Sequence, residues 1–317
     1  MMPPVGELTG RRAVEWLRTR NRWTTGAPWI RTHPWRMYLL GSGAQWFQPP
    51  SRFVIVTPGR TGSELLTDLL NSHPDIACDA EILQDRVLLP ERFVAGRATK
   101  ARLGGARAYG FKIHCGHFGY QALRERQDYL SRLSAAGVDI IFLRRRDLLA
   151  QAVSSAIASR TRWHWRLQDH ATFKPLELDP VEVLMMTYLF EESDQYLRHL
   201  LSGLPHLTLT YEADLMDPAS QQATVDRICD RLGVARAATS SDHVRFTPRT
   251  LAETVANFDE LADVIGPTRF RRFLPGGDGQ AGESEPAVER PPAGHRLEQN
   301  GDVGIIDEDR VQTRRPG

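Results

Sequence analysis

A glycine-rich segment after the first apolar run has the composition of an anion-binding turn. Residues 58–63 are PGRTGS, with two glycines, one arginine and two hydroxyl side chains. A β-branched run typical of a buried strand precedes it, and leucines at helical spacing follow it. A loop between a strand and a helix directs backbone N–H groups and the positive end of the helix dipole at one point. The segment therefore favours a phosphate-like anion, although an ordinary tight strand-to-helix turn has the same outline.

A second cluster of cations follows a later apolar run. The predicted strand VDIIFLR ends at Arg144. Arg145 and Arg146 follow it directly, and a predicted helix with several serines comes next. Three adjacent guanidinium groups need an anion or full solvation to offset their mutual repulsion. The cluster is thus either a second anion-binding position or a solvated strand exit.

Neither segment has the signature of a metal-bound nucleoside triphosphate site. The usual loop places Lys and then Ser or Thr after its second glycine, whereas Ser63 and Glu64 follow Gly62 here. The glycine pattern of a dinucleotide-binding fold is also missing after the strand. We therefore expect no metal. A magnesium-dependent kinase or phosphohydrolase and a non-catalytic nucleotide-binding protein remain alternatives.

The elements that must position these segments alternate along the chain. Apolar runs predict strands at 52–57, 109–114, 138–144 and 206–212. Helical periodicity predicts helices near 63–72, 121–135, 147–159, 180–201, 219–232 and 250–263. This alternation indicates an α/β fold, a three-layer sandwich with a central parallel sheet. Ligands of such folds bind at the carboxyl ends of the strands, where both basic segments are expected.

The ends of the chain differ in composition from the middle. Residues 1–50 form an Arg- and Trp-rich extension, residues 51–274 the α/β domain, and residues 275–317 a Gly-, Pro- and Glu-rich tail expected to be disordered. The extension could contact a membrane surface, but no apolar run is long enough to cross a bilayer. The 40 Lys and Arg balance the 39 Asp and Glu, so the overall charge gives no indication of a polyanionic partner, and a nucleic-acid partner is not expected. Three scattered cysteines favour a cytoplasmic location.

The two basic segments together resemble the motifs of a known enzyme family. The first is RTGSELL from Arg60, and the second is RRD from Arg145 followed by QAVS from Gln151 to Ser154. They are similar to the sulfotransferases that use 3′-phosphoadenosine-5′-phosphosulfate, above all the bacterial carbohydrate type that acts on trehalose and nodulation factors. The resemblance covers roughly residues 52–265 and implies a P-loop-NTPase-like sulfotransferase fold.

This resemblance implies how the nucleotide donor is bound. The residues that it assigns to the 5′-phosphosulfate are Arg60, Thr61, Gly62, Ser63 and Glu64. Arg146 and Ser154 would hold the 3′-phosphate, and Arg60 would also stabilise the departing bridging oxygen. Glu64 departs from the Thr or Ser usual in the family and brings a carboxylate close to an anionic ligand.

The resemblance also implies an acceptor site and a base. The acceptor would be a hydroxyl of a carbohydrate or glycolipid, and Glu81 in CDAEIL would remove its proton. His114 in FKIH is the alternative base, and Lys112 on the same strand would assist substrate or phosphosulfate. Trp163 and Trp165 offer apolar faces to sugar rings, or pack within the domain or a homodimer.

Overall fold

The computed structural model of the chain describes residues 35–42, 50–84, 87, 89–120, 126–161, 174–242 and 250–277. Some of the predictions concern residues outside these ranges. These predictions concern the N-terminal extension except for residues 35–42 and 50, the proposed sugar contacts of Trp163 and Trp165, and the tail from residue 278 onward.

The described residues contain a sheet of five parallel strands in the order β2-β3-β1-β4-β5. The strands are β1 Ser51–Thr57, β2 Ile76–Asp79, β3 Ala108–His114, β4 Val138–Arg144 and β5 His206–Thr210. The central strand β1 pairs with both β3 and β4, so that Ile55 lies between Lys112 and Ile141. The predicted parallel sheet is therefore confirmed. The four-residue strand β2 was missed because its apolar pattern is too short to stand out from a loop.

Helices cover both faces of this sheet. They are α1 Trp35–Ser42, α2 Ser63–Ser72, α3 Pro90–Leu103, α4 His117–Tyr120, α5 Arg126–Ala135, α6 Leu148–Thr161, α7 Pro180–Leu201, α8 Pro218–Leu232, α9 Leu251–Thr254 and α10 Phe258–Ile265. A 3₁₀ turn follows at Arg269–Phe273. None of the described helices combines the length and the apolar character needed to span a bilayer.

Successive side chains of β1 point to opposite faces of the sheet. Both faces are buried, which explains why the run of apolar residues is continuous. Phe53 and Ile55 pack with α2 and α8 on one face of the sheet, and Val54 and Val56 pack with α3, α5 and α7 on the other. All four side chains have no exposed surface. A parallel strand that is buried on both faces favours β-branched and aromatic residues at every position. The fold is thus the predicted α/β three-layer sandwich.

Two predicted elements differ from the structure. The strand expected at 206–212 ends at Thr210, because its partner β4 ends at Arg144 and offers no further backbone to pair with. A π-helical turn, Tyr211–Leu215, follows directly. The single helix expected at 250–263 is divided into α9 and α10, because Val255 forms a bridge with Leu176 between them.

Candidate active site

The loop between β1 and α2 has the backbone geometry of an anion-binding nest. Gly59, Arg60 and Gly62 have φ angles of 97°, 56° and 81°. Left-handed residues turn successive N–H groups towards a common concave side. Helix α2 begins at Ser63, and its N-cap residue Gly62 has no side chain that could accept the first-turn N–H groups. These donors and the helix dipole are therefore available to an anion.

Contacts beneath the loop hold it in this conformation. The hydroxyls of Thr57 and Thr61 lie 2.6 Å apart, and both side chains are buried. A Cβ atom on Gly59 would lie 2.6 Å from Nε2 of His114. The hydroxyl of Thr61 is thus occupied within the protein, which leaves its backbone as the group that could face a ligand. His114, the alternative base, packs against the underside of the loop.

The second basic segment meets the first at this edge of the sheet. Arg60 Nη2 donates a hydrogen bond to Ser154 Oγ at 3.1 Å. Gln151 Nε2 donates to the carbonyl of Gly59 at 2.5 Å, and the Gln151 side chain is fully buried. Both partners come from α6. The two motifs that the sequence separates are therefore in direct contact.

The three consecutive arginines have different surroundings. Arg144 forms a bidentate pair with Asp194 of α7, at 3.0 and 2.9 Å. The Arg145 guanidinium lies 4.8 Å above the ring of Tyr211, and its Nε is 3.7 Å from Glu212. The expectation that all three need an external anion or solvent is thus wrong for Arg144 and Arg145, since carboxylates and an aromatic face within the protein offset their charges. Arg146 has the most exposed side chain of the three, at 41%.

Glu212 organises the start of α6. Its two carboxylate oxygens accept the backbone N–H groups of Arg146 and Asp147, both at 3.0 Å. Its Oε2 also lies 3.9 Å from Arg146 Nε. Sequence reasoning assigned Glu212 no function, although a Tyr-Glu pair at the carboxyl end of a predicted strand was a usable signal. Because Glu212 already accepts the two N–H groups that precede α6, the side chains of Arg146 and Ser154 are the groups that we expect to contact an anion in this region.

A buried cation lies between two carboxylates beside the loop. Lys112 of β3 has no exposed surface, pairs with Glu64 of α2, and has its Nζ 3.9 Å from Glu81 Oε1. The carboxylate at position 64 therefore faces a lysine, and its charge is compensated within the protein. Glu81 follows β2 and is about one-third exposed, at 36%.

A second histidine that the sequence did not single out completes the cluster. His117 Nε2 lies 3.6 Å from the other Glu81 oxygen, Oε2. Its Nδ1 accepts the backbone N–H of His114 at 3.1 Å. Burial, aided by the nearby charges of His114 and Lys112, lowers the pKa of His117 to about 3. Burial also opposes the charge of His114, but the Cys115 thiol, Glu81 and the backbone at Pro58 outweigh it and raise the pKa of His114.

The groups at the carboxyl edge of the sheet indicate which chemistry this site could perform. A nest of N–H donors with Arg60 suits a phosphate or sulfate group, and the exposed Arg146 suits a second anion on the same ligand. Glu81 is a partly exposed carboxylate that could accept a proton beside the first of these positions. In the part of the chain that the structure describes, no three His, Cys, Asp or Glu side chains are grouped so as to hold a metal ion.

Comparison with known proteins agrees with the motif resemblance. No protein-family model matches the chain. Two sequences of nodulation protein H from Rhizobium meliloti, one of them from strain 1021, are each 26% identical to it over 243 residues. The matched region covers 71% of this chain and 96% of the relative. The chain is thus distantly similar to nodulation protein H, which agrees with the resemblance of its two basic segments to the bacterial nodulation-factor type of sulfotransferase.

Proposed function

We propose that this protein transfers a sulfuryl group from 3′-phosphoadenosine-5′-phosphosulfate to a hydroxyl of a carbohydrate or glycolipid. The observation that carries the proposal is the hydrogen bond from Arg60 to Ser154. It joins the two segments that resemble the donor-binding motifs of sulfotransferases, so that one nucleotide could contact both. The distant similarity to nodulation protein H supports the same class of reaction.

The two segments would hold opposite ends of the donor. The N–H groups of residues 60–64 and the Arg60 guanidinium suit the 5′-phosphosulfate. Arg146 lies just before α6 and Ser154 lies within it. Both suit the 3′-phosphate, because a guanidinium and a hydroxyl can donate hydrogen bonds to phosphate oxygens. Gly62 allows the loop to keep the conformation that presents these N–H groups, because any side chain at this position would collide with the ring of Tyr211 and displace the loop.

The chain also supplies groups for the transfer step. Glu81 would accept the proton of the acceptor hydroxyl as that oxygen attacks sulfur. Lys112 keeps the carboxylates of Glu64 and Glu81 beside a positive charge. Arg60 would stabilise the negative charge that develops on the bridging oxygen as the sulfur–oxygen bond breaks.

Transfer can be tested with ³⁵S-labelled donor and a panel of sugars and glycolipids. We expect a labelled product and release of adenosine 3′,5′-bisphosphate. Glu81→Gln should lower kcat by about 10²–10⁴-fold, the usual contribution of a general base, and leave the Kd of the donor within about twofold. His114→Gln is the matched control for the alternative base and should keep most of the activity. Failure of the wild-type protein to bind the donor at high protein concentration would overturn the proposal.

A further inference from the structure

The ring of His117 is held in one orientation by the backbone of the preceding strand. His117 begins α4, and only 5% of its surface is exposed. Its Nδ1 accepts the N–H of His114, the last residue of β3, at 3.1 Å. A nitrogen that accepts a hydrogen bond carries no proton. The ring proton of the neutral form must therefore be on Nε2.

The charged groups around His117 and its burial keep the imidazole neutral. Lys112 of β3 and His114 lie close to the ring, and both disfavour a second positive charge in a buried position. Glu81 from the loop after β2 is the carboxylate that faces the ring, at 3.6 Å. The Glu64 carboxylate of α2 is paired with Lys112. His117 is thus a neutral side chain whose N–H donor atom, Nε2, lies 3.6 Å from a Glu81 oxygen.

Glu81 needs such a partner if it is to act as a base. Its side chain is partly exposed, and it precedes an irregular turn at residues 82–84. Its two oxygens face different groups, because Oε1 is 3.9 Å from Lys112 Nζ and Oε2 is 3.6 Å from His117 Nε2. Both distances are longer than a hydrogen bond, so a small rotation of the carboxylate decides which contact tightens. A base must be held within hydrogen-bond reach of the proton that it removes.

We propose that His117 is a positioning residue that orients the Glu81 carboxylate through its Nε2–H. This inference rests on the proposed function. His117 does not touch the reacting atoms. A small rotation of the Glu81 carboxylate would bring Oε2 within hydrogen-bond reach of this N–H, and the other oxygen would then receive the proton of the acceptor. Lys112 offsets the negative charge of the same carboxylate, whereas His117 fixes its orientation.

Two substitutions separate this role from the structural bond to β3. Asn places its side-chain oxygen two bonds from Cβ, as Nδ1 is, so His117→Asn keeps an acceptor for the His114 N–H and loses the donor towards Glu81. Gln places its amide nitrogen three bonds from Cβ, as Nε2 is, so His117→Gln keeps the donor and loses the acceptor. If His117 positions Glu81, activity should follow the order wild type, Gln, Asn. Thermal stability should follow the order wild type, Asn, Gln.

The kinetic readout is the kcat of ³⁵S transfer with the Kd of the donor measured separately. We expect His117→Asn to lower kcat about tenfold or more, since misplacement of a catalytic group by about 1 Å costs up to about 100-fold, and to leave donor Kd within twofold. His117→Gln should stay within about threefold of wild type. In a Glu81→Gln background neither substitution should change the residual kcat further.

A measurement independent of activity tests the tautomer. Long-range ¹H–¹⁵N NMR of the full chain should show the His117 proton on Nε2 and a neutral ring between pH 5.5 and 8, as expected for a pKa of about 3. A charged ring, or a proton on Nδ1, overturns the inference. So does an unchanged kcat in His117→Asn when Glu81→Gln is impaired. No transfer by the wild-type protein overturns the proposed function and this inference with it. Full activity of Glu81→Gln leaves the transfer reaction standing and overturns the assignment of Glu81 as the base, together with this inference.

Discussion

Replacement of Arg146 by Ala should weaken donor binding at one identifiable phosphate. The Arg146 side chain is 41% exposed, and its Nε lies 3.9 Å from Glu212. Its backbone N–H, which Glu212 accepts at 3.0 Å, is kept by Ala. The substitution therefore removes a guanidinium without removing the contact that holds the start of α6. A surface ion pair of this kind contributes about 0–1 kcal/mol, so little stability should be lost.

The magnitude follows from the charge of the lost group. A hydrogen bond to a charged group contributes about 1.5–3 kcal/mol. Since each 1.4 kcal/mol changes an equilibrium constant about tenfold, Kd for adenosine 3′,5′-bisphosphate should rise about 10–150-fold. Adenosine 5′-phosphate lacks the 3′-phosphate, so its Kd should change by less than about twofold. The difference between the two ligands isolates the contribution of Arg146.

Isothermal titration calorimetry of both ligands checks the prediction, and Arg144→Ala is the matched control. Arg144 is bidentate to the buried Asp194, and breaking such a pair costs about 3–5 kcal/mol of stability. Arg198 also reaches Asp194, at 3.1 Å, which favours the lower end of this range. The control should lose stability without discriminating between the ligands. Equal losses for both ligands in Arg146→Ala, or a selective loss in Arg144→Ala, would refute the assignment.

Three further predictions concern the loop and the buried cluster. Gly62→Ala should cost about 2–3 kcal/mol, because φ is 81° and the new Cβ would lie 2.6 Å from the Tyr211 ring; urea unfolding measures it. Glu64→Gln should cost about 1–3 kcal/mol by the same assay, less than a fully buried pair, because Glu64 is 40% exposed and Glu81 remains near Lys112. The pKa of His117 is lowered to about 3 in the folded protein. As the pH falls, the unfolded chain therefore takes up a proton at His117 before the folded protein does, and the free energy of unfolding decreases below about pH 6.5. Between pH 7 and pH 5, His117→Asn should therefore lose about 2 kcal/mol less than wild type.

Each of these has a matched comparison. Gly137 has φ of 73°, and a Cβ added there would have no atom within 4 Å, so Gly137→Ala measures backbone strain without the ring contact. Glu91 forms an exposed pair with Arg132, and Glu91→Gln should change stability by less than about 1 kcal/mol. Equal costs at Gly62 and Gly137, or at Glu64 and Glu91, would contradict the packing described here. Parallel pH curves for wild type and His117→Asn would contradict the neutral buried imidazole.

Local patterns in the sequence were enough to locate four of the five described strands. β1, β3 and β4 were located within one residue at either end, because a buried parallel strand is a continuous apolar run that is visible within a few residues. The helix expected at 180–201 has these bounds in the structure, where Pro180 is the first residue of α7 and the Asp179 side chain accepts the N–H groups of Val181 and Glu182. The fold class and the position of the glycine-rich loop followed from these elements and their alternation.

Only the tertiary structure decided the partners of the charged residues. Asp194 pairs with Arg144 from a helix 50 positions along the chain, and Glu212 reaches Arg146 across 66 positions. The role proposed for His117 depends on a backbone N–H and a carboxylate from two different strand ends. A local pattern reports the period of burial, whereas these contacts depend on which strands are neighbours and which side chains are turned towards each other. The sequence alone therefore determined four of the five described strands and the basic loops, and the packing of distant segments determined which charges remain available for a ligand.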